Sequence, residues 1–248
     1  MAMPQYGVVL LDIEGTTTPI SFVHDVLFPY VTENIKQFLE SRWDDPAVQA
    51  HVRAIAEQAD KDIKSGIDLA VEVNLDEGSA SEIQHAVVEN VKWQMEADRK
   101  VGALKGLQGY MWQFGYKSGD LCGVMFADAV EAIKQWVRTG RKVYIYSSGS
   151  VEAQKLIFGY SDHGDLLGYI SGHYDTKIGS KVESTSYTAI TSDIGIEPER
   201  VLFVSDNIRE IQAADAAGLQ TVLSIRPGNA PVAHHVFAVS SDFTTIPH

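Results

Sequence analysis

The sequence predicts an α/β fold, a doubly wound parallel sheet that carries an inserted helical domain, and three observations lead there. Short runs of Val, Ile, Leu and aromatic residues at 6–12, 142–149, 201–207 and 221–228 are apolar without alternation, as expected of strands buried on both faces. Helical patterns separate the last three, so strand and helix alternate. Between about 21 and 124 the alternation stops, and apolar residues recur only at three-to-four spacing.

In chain order, YGVVLLD at 6–12 is the first strand and ends on an acidic residue. DVLFPYVTENIKQFLESRW, PAVQAHVRAIAEQADKDIKSG and SEIQHAVVENVKWQMEADRK then read as amphipathic helices of the insertion. Trp93, Tyr110, Met111 and Trp112 fall at helical spacing and are expected in its core. In GYMWQFGYKSGDLCGV, Gly115, Gly119 and Gly123 suggest a hinge through which the chain returns. DAVEAIKQWVRTG at 128–140 is the next helix, with Gly140 suited to its C-cap. Helices at 151–159, 181–195 and 208–218 follow, with a weaker strand at 169–175. The expected domains are therefore a core of 1–20 with 125–248, and a helical domain of 21–124.

Composition narrows the function. The chain has 248 residues, 45% of them hydrophobic, enough for a sizeable core. Its 33 acidic against 20 basic residues leave a net charge of −13, which repels nucleic acid and anionic lipid, so neither is an expected partner. An anionic substrate would need local positive charge from a metal ion, a lysine or a helix N-terminus. Cys122 is the single cysteine, which excludes an internal disulfide, and the N-terminal stretch has no basic, signal-like flank. A cytoplasmic monomer is the expectation.

Four segments could carry chemistry. The first strand ends LLDIEGTTTP, where Asp12 and Glu14 stand two residues apart and so project to one side of an extended segment, at the strand end where ligands of open α/β sheets bind. A turn-starting Asp12 and a solvated Glu14 are the plainer alternative. VYIYSSGS brings Ser147 and Ser148 to the same end, either to hold phosphate oxygens or simply to cap a helix. FVSDNIREI places Asp206 at a strand end and Glu210 four residues on. Asp206 could join the first carboxylates in holding magnesium, a hard cation that prefers oxygen, or it could be an N-cap. Lys181, at the start of the 181–195 pattern, is badly placed for a cation unless it neutralises something, and Lys177 is its rival.

Each signal is weak alone; in this order, each after a strand of one sheet, the four resemble the haloacid-dehalogenase superfamily. Its motifs are D-x-[DE]-G-T, a strand ending in Ser or Thr, a lysine, and a strand ending in aspartate. The stretches LLDIEGTTTPISFVHDVLFPY, NVKWQMEADRK, ALKGLQGYMW, KVYIYSSGSVEAQKLIFG and GHYDTKIGSKVESTSY further resemble the enolase-phosphatase (acireductone synthase) family. That resemblance implies a magnesium-dependent phosphatase of methionine salvage that turns 2,3-diketo-5-methylthiopentyl-1-phosphate into an acireductone. It implies Asp12 as nucleophile, Glu14 as proton donor to the leaving oxygen, and Lys181, Ser147 and Ser148 around the phosphoryl group. The metal would lie with Asp12, Glu14 and Asp206. The last motif, SDNIRE, departs from the superfamily pattern by having Ser205 before the aspartate and Glu210 after it. A phosphatase for another small ester would share the motifs but not the insertion's signatures. A haloacid dehalogenase needs neither a leaving-group acid nor magnesium, so Glu14 and Asp206 weigh against it. The helical domain is expected to act as a mobile cap.

Overall fold

The computed structural model describes residues 6–232 and 234–247. The chain divides into two compact units, one made of the residues up to Val23 and from Cys122 onward, the other His24–Leu121.

The first unit is built on a six-stranded, wholly parallel sheet of β1 (Val8–Leu11), β2 (Lys142–Tyr146), β3 (Gly172–Tyr174), β4 (Val201–Ser205), β5 (Gln220–Ser224) and β6 (Ala238–Ser240), in the order β3-β2-β1-β4-β5-β6. All of β1 and β4 is buried, which is why both read as unbroken apolar runs. β1 lies between β2 and β4, with Leu11 opposite Ile145 of β2 and Val204 of β4. The strand order reverses at β1/β4, and in open α/β sheets the carboxyl ends at such a reversal form the ligand crevice. β6 is absent from the sequence-based reading because two of its three residues are exposed and it offers no apolar run.

Helices α6 (Ala127–Arg138), α7 (Val151–Gly159), α8 (Ser184–Ile194) and α9 (Ile208–Ala216) pack on this sheet, and α1 (Ile20–Phe22) is a single turn. Tyr187 and Ile190 of α8 and Ile211 and Ala214 of α9 meet Val8, Leu10, Val201 and Phe203 in one core. Each such fully buried side chain contributes about 1.5–3 kcal/mol. Gly140, at φ +86, follows the Thr139 cap of α6, as the sequence suggests.

The second unit consists of α2 (Phe28–Arg42), α3 (Pro46–Lys64), α4 (Ala80–Glu96) and α5 (Gly102–Ser118), with α2 and α3 each packed on α4 and α5. Local sequence sets their starts: Asp45 caps α3 by accepting the Ala47 N–H at 2.8 Å, and Ser79 with Glu82 forms a capping box on α4. Met111 and Trp112 are buried here, Trp112 donating to the Leu27 carbonyl at 2.9 Å, while Trp93 and Tyr110 are half-buried. The chain returns to the first unit between Leu121 and Cys122, flanked by Gly119 and Gly123, but Gly115 is not part of that return. Gly115 lies inside α5, where a β-carbon would come within 2.7 Å of Tyr30 and 2.8 Å of Leu121. Gly119 caps α5 in the left-handed conformation, and a side chain at Gly123 would strike the Ile157 carbonyl. Packing and capping account for all three. No described helix is long and apolar enough to cross a membrane.

Candidate active site

The loop after β1 is built from its own backbone. The Asp12 N–H donates to the Val204 carbonyl at 3.0 Å, so Asp12 leaves the sheet beside Ser205. The N–H groups of Thr16, Thr17 and Thr18 then converge on the Ile13 carbonyl at 3.1, 2.9 and 2.9 Å, curling the chain into a tight turn. Only glycine suits its apex: Gly15 has φ +68, and a β-carbon there would overlap the Asp206 carboxylate. Thr16 Oγ1 accepts the Asp206 N–H at 3.0 Å, fastening the loop to the end of β4.

Asp12, 5% exposed, lies against a cation and a hydroxyl. Lys181 Nζ is 2.6 Å from Asp12 Oδ1 and 2.6 Å from Glu210 Oε2, and Ser205 Oγ lies 3.3 Å from Asp12 Oδ2 and 2.9 Å from Glu210 Oε2. Lys181 is held from below by tyrosines. The Tyr187 hydroxyl donates to the Lys181 carbonyl at 2.7 Å, and that of Tyr146 to the Gly179 carbonyl at 2.9 Å. The sequence suggests a lysine at the start of a helix, but α8 begins at Ser184 and Lys181 sits in the preceding turn. Its rival Lys177 is 83% exposed at the side chain and lies 3.8 Å from Asp175.

Charge in the cluster is unbalanced. Burial disfavours the Lys181 ammonium, but the Asp12 and Glu210 carboxylates outweigh it and raise the lysine's pKa above its ordinary value. Burial, then repulsion from Asp12, raises the Glu210 pKa despite its lysine partner. Asp206 is pushed up to about 7 by burial, then by Asp12 and Glu210, with Lys181 opposing and Glu14 adding a smaller push. The carboxyl groups of Asp12, Asp206 and Glu210 thus share one ammonium, a surplus that a hard cation or protons must offset. Among the described residues no three His, Cys, Asp or Glu side chains form a ready-made metal cage. The donor set suits magnesium, which is commonly held by one or two carboxylates and keeps several waters.

The other predicted residues are placed as follows. Glu14 is half-buried and bridges Thr18 across the turn. Ser147 is buried and accepts the Gly149 N–H at 3.3 Å, Ser148 is exposed, and Ser150 is the residue that caps α7, accepting the Ala153 N–H at 3.2 Å. The N-cap of α9 is Asn207, not Asp206: its side chain accepts the Arg209 N–H at 3.0 Å, so Asp206 has no capping duty. Sequence reading left the role of Glu210 open and marked Ser205 only as a departure from the superfamily pattern. The signal available was position, one residue before and four residues after Asp206, where side chains return to the same strand end.

Residues 6–218 match the family model of the haloacid dehalogenase-like hydrolases. The chain is similar to enolase-phosphatase E1 of Xenopus tropicalis, 51% identical with 92% of this chain and 88% of that protein covered. It also resembles a probable bifunctional methylthioribulose-1-phosphate dehydratase/enolase-phosphatase of Vitis vinifera, 44% identical over 98% of this chain but only 47% of that longer protein. Among solved structures it resembles the UTR4 protein of Saccharomyces cerevisiae, with a TM-score of 0.79, 37% identity and 98% and 100% of the two chains covered.

Proposed function

Since the chain belongs to the haloacid dehalogenase-like hydrolases, and within them to the enolase-phosphatases, we propose that it enolises and dephosphorylates 2,3-diketo-5-methylthiopentyl-1-phosphate. The products are an acireductone, 1,2-dihydroxy-3-keto-5-methylthiopentene, and phosphate, a step of methionine salvage. The observation that carries the phosphatase reading is the buried Asp12 at 2.6 Å from Lys181, at the strand end where the sheet order reverses.

Asp12 is the nucleophile. Its carboxylate attacks phosphorus in line, forming an O–P bond as the bond from phosphorus to the ester oxygen breaks. Glu14 gives its proton to the leaving oxygen, then takes one from the water that cleaves the aspartyl phosphate, which restores Asp12 and releases phosphate. Lys181 offsets charge on the transferred group, while Glu210 and Ser205 hold the lysine and Asp12 in register. Ser147 and Ser148, before α7, bind phosphoryl oxygens. The Asp12 and Asp206 carboxylates, with the backbone carbonyl of Glu14, would hold magnesium, which leaves the Glu14 side chain to move the proton. When bound the ion offsets the acid surplus and the negative charge of the phosphoryl oxygens. The helical unit is assigned substrate selection because both of its chain ends join the unit that carries Asp12.

The test supplies the diketo phosphate with and without magnesium and follows phosphate together with enediol absorbance. Magnesium-dependent appearance of both is the expected result. Faster turnover of phosphoglycolate or a sugar phosphate, without enediol, would replace this reading with that of another small-ester phosphatase.

A further inference from the structure

The segment after β5 returns to the loop that carries Asp12 and Glu14. Arg226 is 6% exposed, and its guanidinium lies between the rings of Phe126 and Phe243, 4.4 and 4.1 Å from their centroids. Nη1 reaches Asp128 Oδ2 at 2.8 Å and the Ser241 carbonyl at 2.9 Å, while Nε donates to the Thr16 carbonyl at 3.2 Å. Asp128 Oδ2 also accepts the Phe243 N–H at 2.7 Å. One position earlier in the loop, the Gly15 carbonyl accepts from Asn229 Nδ2 at 2.9 Å and from Ser224 Oγ at 3.4 Å. Two consecutive carbonyls of the turn are thus held by side chains from 224–229.

A buried guanidinium needs a counter-charge, and Asp128 supplies it. Linking α6 to the C-terminal segment requires only the Asp128 and Ser241 arms. The Nε arm goes elsewhere, to Thr16, whose hydroxyl accepts the Asp206 N–H at 3.0 Å. The rigid fork of arginine serves all these directions at once, which a lysine ammonium on a flexible stem does not. We infer that Arg226 and Asn229 are positioning residues of the phosphatase site. They fix the Gly15 and Thr16 peptide groups and, through the Thr16 hydroxyl, the placement of Asp206 relative to Asp12. This rests on the assignment of Asp12 and Asp206 given above.

The experiment uses the full chain and the variants Arg226→Lys, Asn229→Ala and Asp206→Asn. Four quantities are measured: folded fraction by circular dichroism with a melt, affinity for magnesium alone by calorimetry, and kcat and KM separately. Arg226→Lys keeps a cation beside Asp128 but loses the Nε arm. Asn229, half-buried at the surface, provides a variant that should fold whatever the fate of the first. The expected result, per folded molecule, is a loss of about tenfold or more in magnesium affinity and in kcat for both, with KM within about threefold, the scale seen when outer-shell support of a metal site is removed. Lower melting temperatures with kcat and magnesium affinity unchanged within about twofold would make Arg226 a structural strut and overturn the inference. Asp206→Asn separates the two levels. If it weakens magnesium while Arg226→Lys and Asn229→Ala do not, positioning is wrong and the site stands; if it does not, the site assignment fails and the inference falls with it.

Discussion

Both units of this protein bury an acid against a base at the same distance, and they do so to opposite ends. In the helical unit Arg99 Nη2 lies 2.6 Å from Asp62 Oδ1, which also accepts from Gln58 at 2.8 Å, and the guanidinium sits over Trp93, 4.8 Å from the ring centroid. There one carboxylate meets one cation, and the pair ties the chain after α4 to α3. In the sheet unit Lys181 lies 2.6 Å from Asp12 and 2.6 Å from Glu210, with Asp206 adding a third acid. Bond length does not distinguish the two clusters; the ratio of acids to bases does. A balanced pair leaves no net charge for a ligand to offset, whereas a surplus of carboxylates is stable only with something bound or protonated.

The largest expected effect tests that distinction directly. Asp12→Asn should reduce phosphate release by roughly a thousandfold or more, since the amide keeps the shape but not the nucleophile. It should cost little stability, because it relieves the surplus; a melting temperature lowered by more than a few degrees would show Asp12 to be a structural partner like Asp62. The converse experiment is Asp62→Asn, which strands Arg99 and should cost about 3–5 kcal/mol in denaturant unfolding. Hydrolysis of a small aryl phosphate by the folded fraction should change little, and a loss comparable to that of Asp12→Asn would erase the contrast.

A smaller effect is carried by pH. With the Asp206 pKa near 7 in the absence of metal, protons compete with magnesium as pH falls through 7, and affinity for the ion should decline by up to about tenfold per pH unit below it. Calorimetry between pH 8 and about 5.5 measures this, and Asp206→Asn should flatten the slope. If the slope survives in that variant, the proton is held elsewhere in the cluster.

The smallest effect concerns a half-buried base. His173 Nδ1–H donates to Gln154 Oε1 at 3.1 Å, and burial, helped by Lys155, lowers its pKa from 6.5 to about 4. The unfolded chain takes up a proton that the folded one refuses, so its stabilising contribution is complete above pH 6.5 and lost as pH falls toward 4. His173→Gln should make the unfolding free energy less pH-dependent across that window, and an unchanged slope would remove His173 as its source.

The parts of this protein that were legible in its sequence are those with short-range physical signals. β1, β2, β4 and β5 announced themselves as unbroken apolar runs, and α6, α7 and α9 began within a residue of their expected starts. The parts that escaped depend on partners far along the chain. Nothing near Arg226 marks it as more than one residue of an R-P-G-N turn, since Thr16, Asp128 and Phe243 are spread over nearly the whole length. Glu210 looked like an ordinary helix-facing acid until folding brought Lys181 to it. The early start assigned to the helix at 181 arose because Lys-Val-Glu-Ser has no strong stop or start signal, whereas the real boundary is set by the turn that delivers the lysine.

The pairing of β1 also bears on when activity first exists. This strand, at residues 8–11, is synthesised well before its two neighbours in the sheet, which are at 142–146 and 201–205. Contacts of such separation require long loops to close before they contribute anything, and they slow folding. The helical unit, whose helices all lie within one span of chain, is free to assemble while synthesis continues. The loop bearing Asp12 must wait without its hydrogen bond to Val204 until the chain has passed residue 205, so Asp12 is made long before the strand that fixes its place beside Lys181, Ser205 and Glu210.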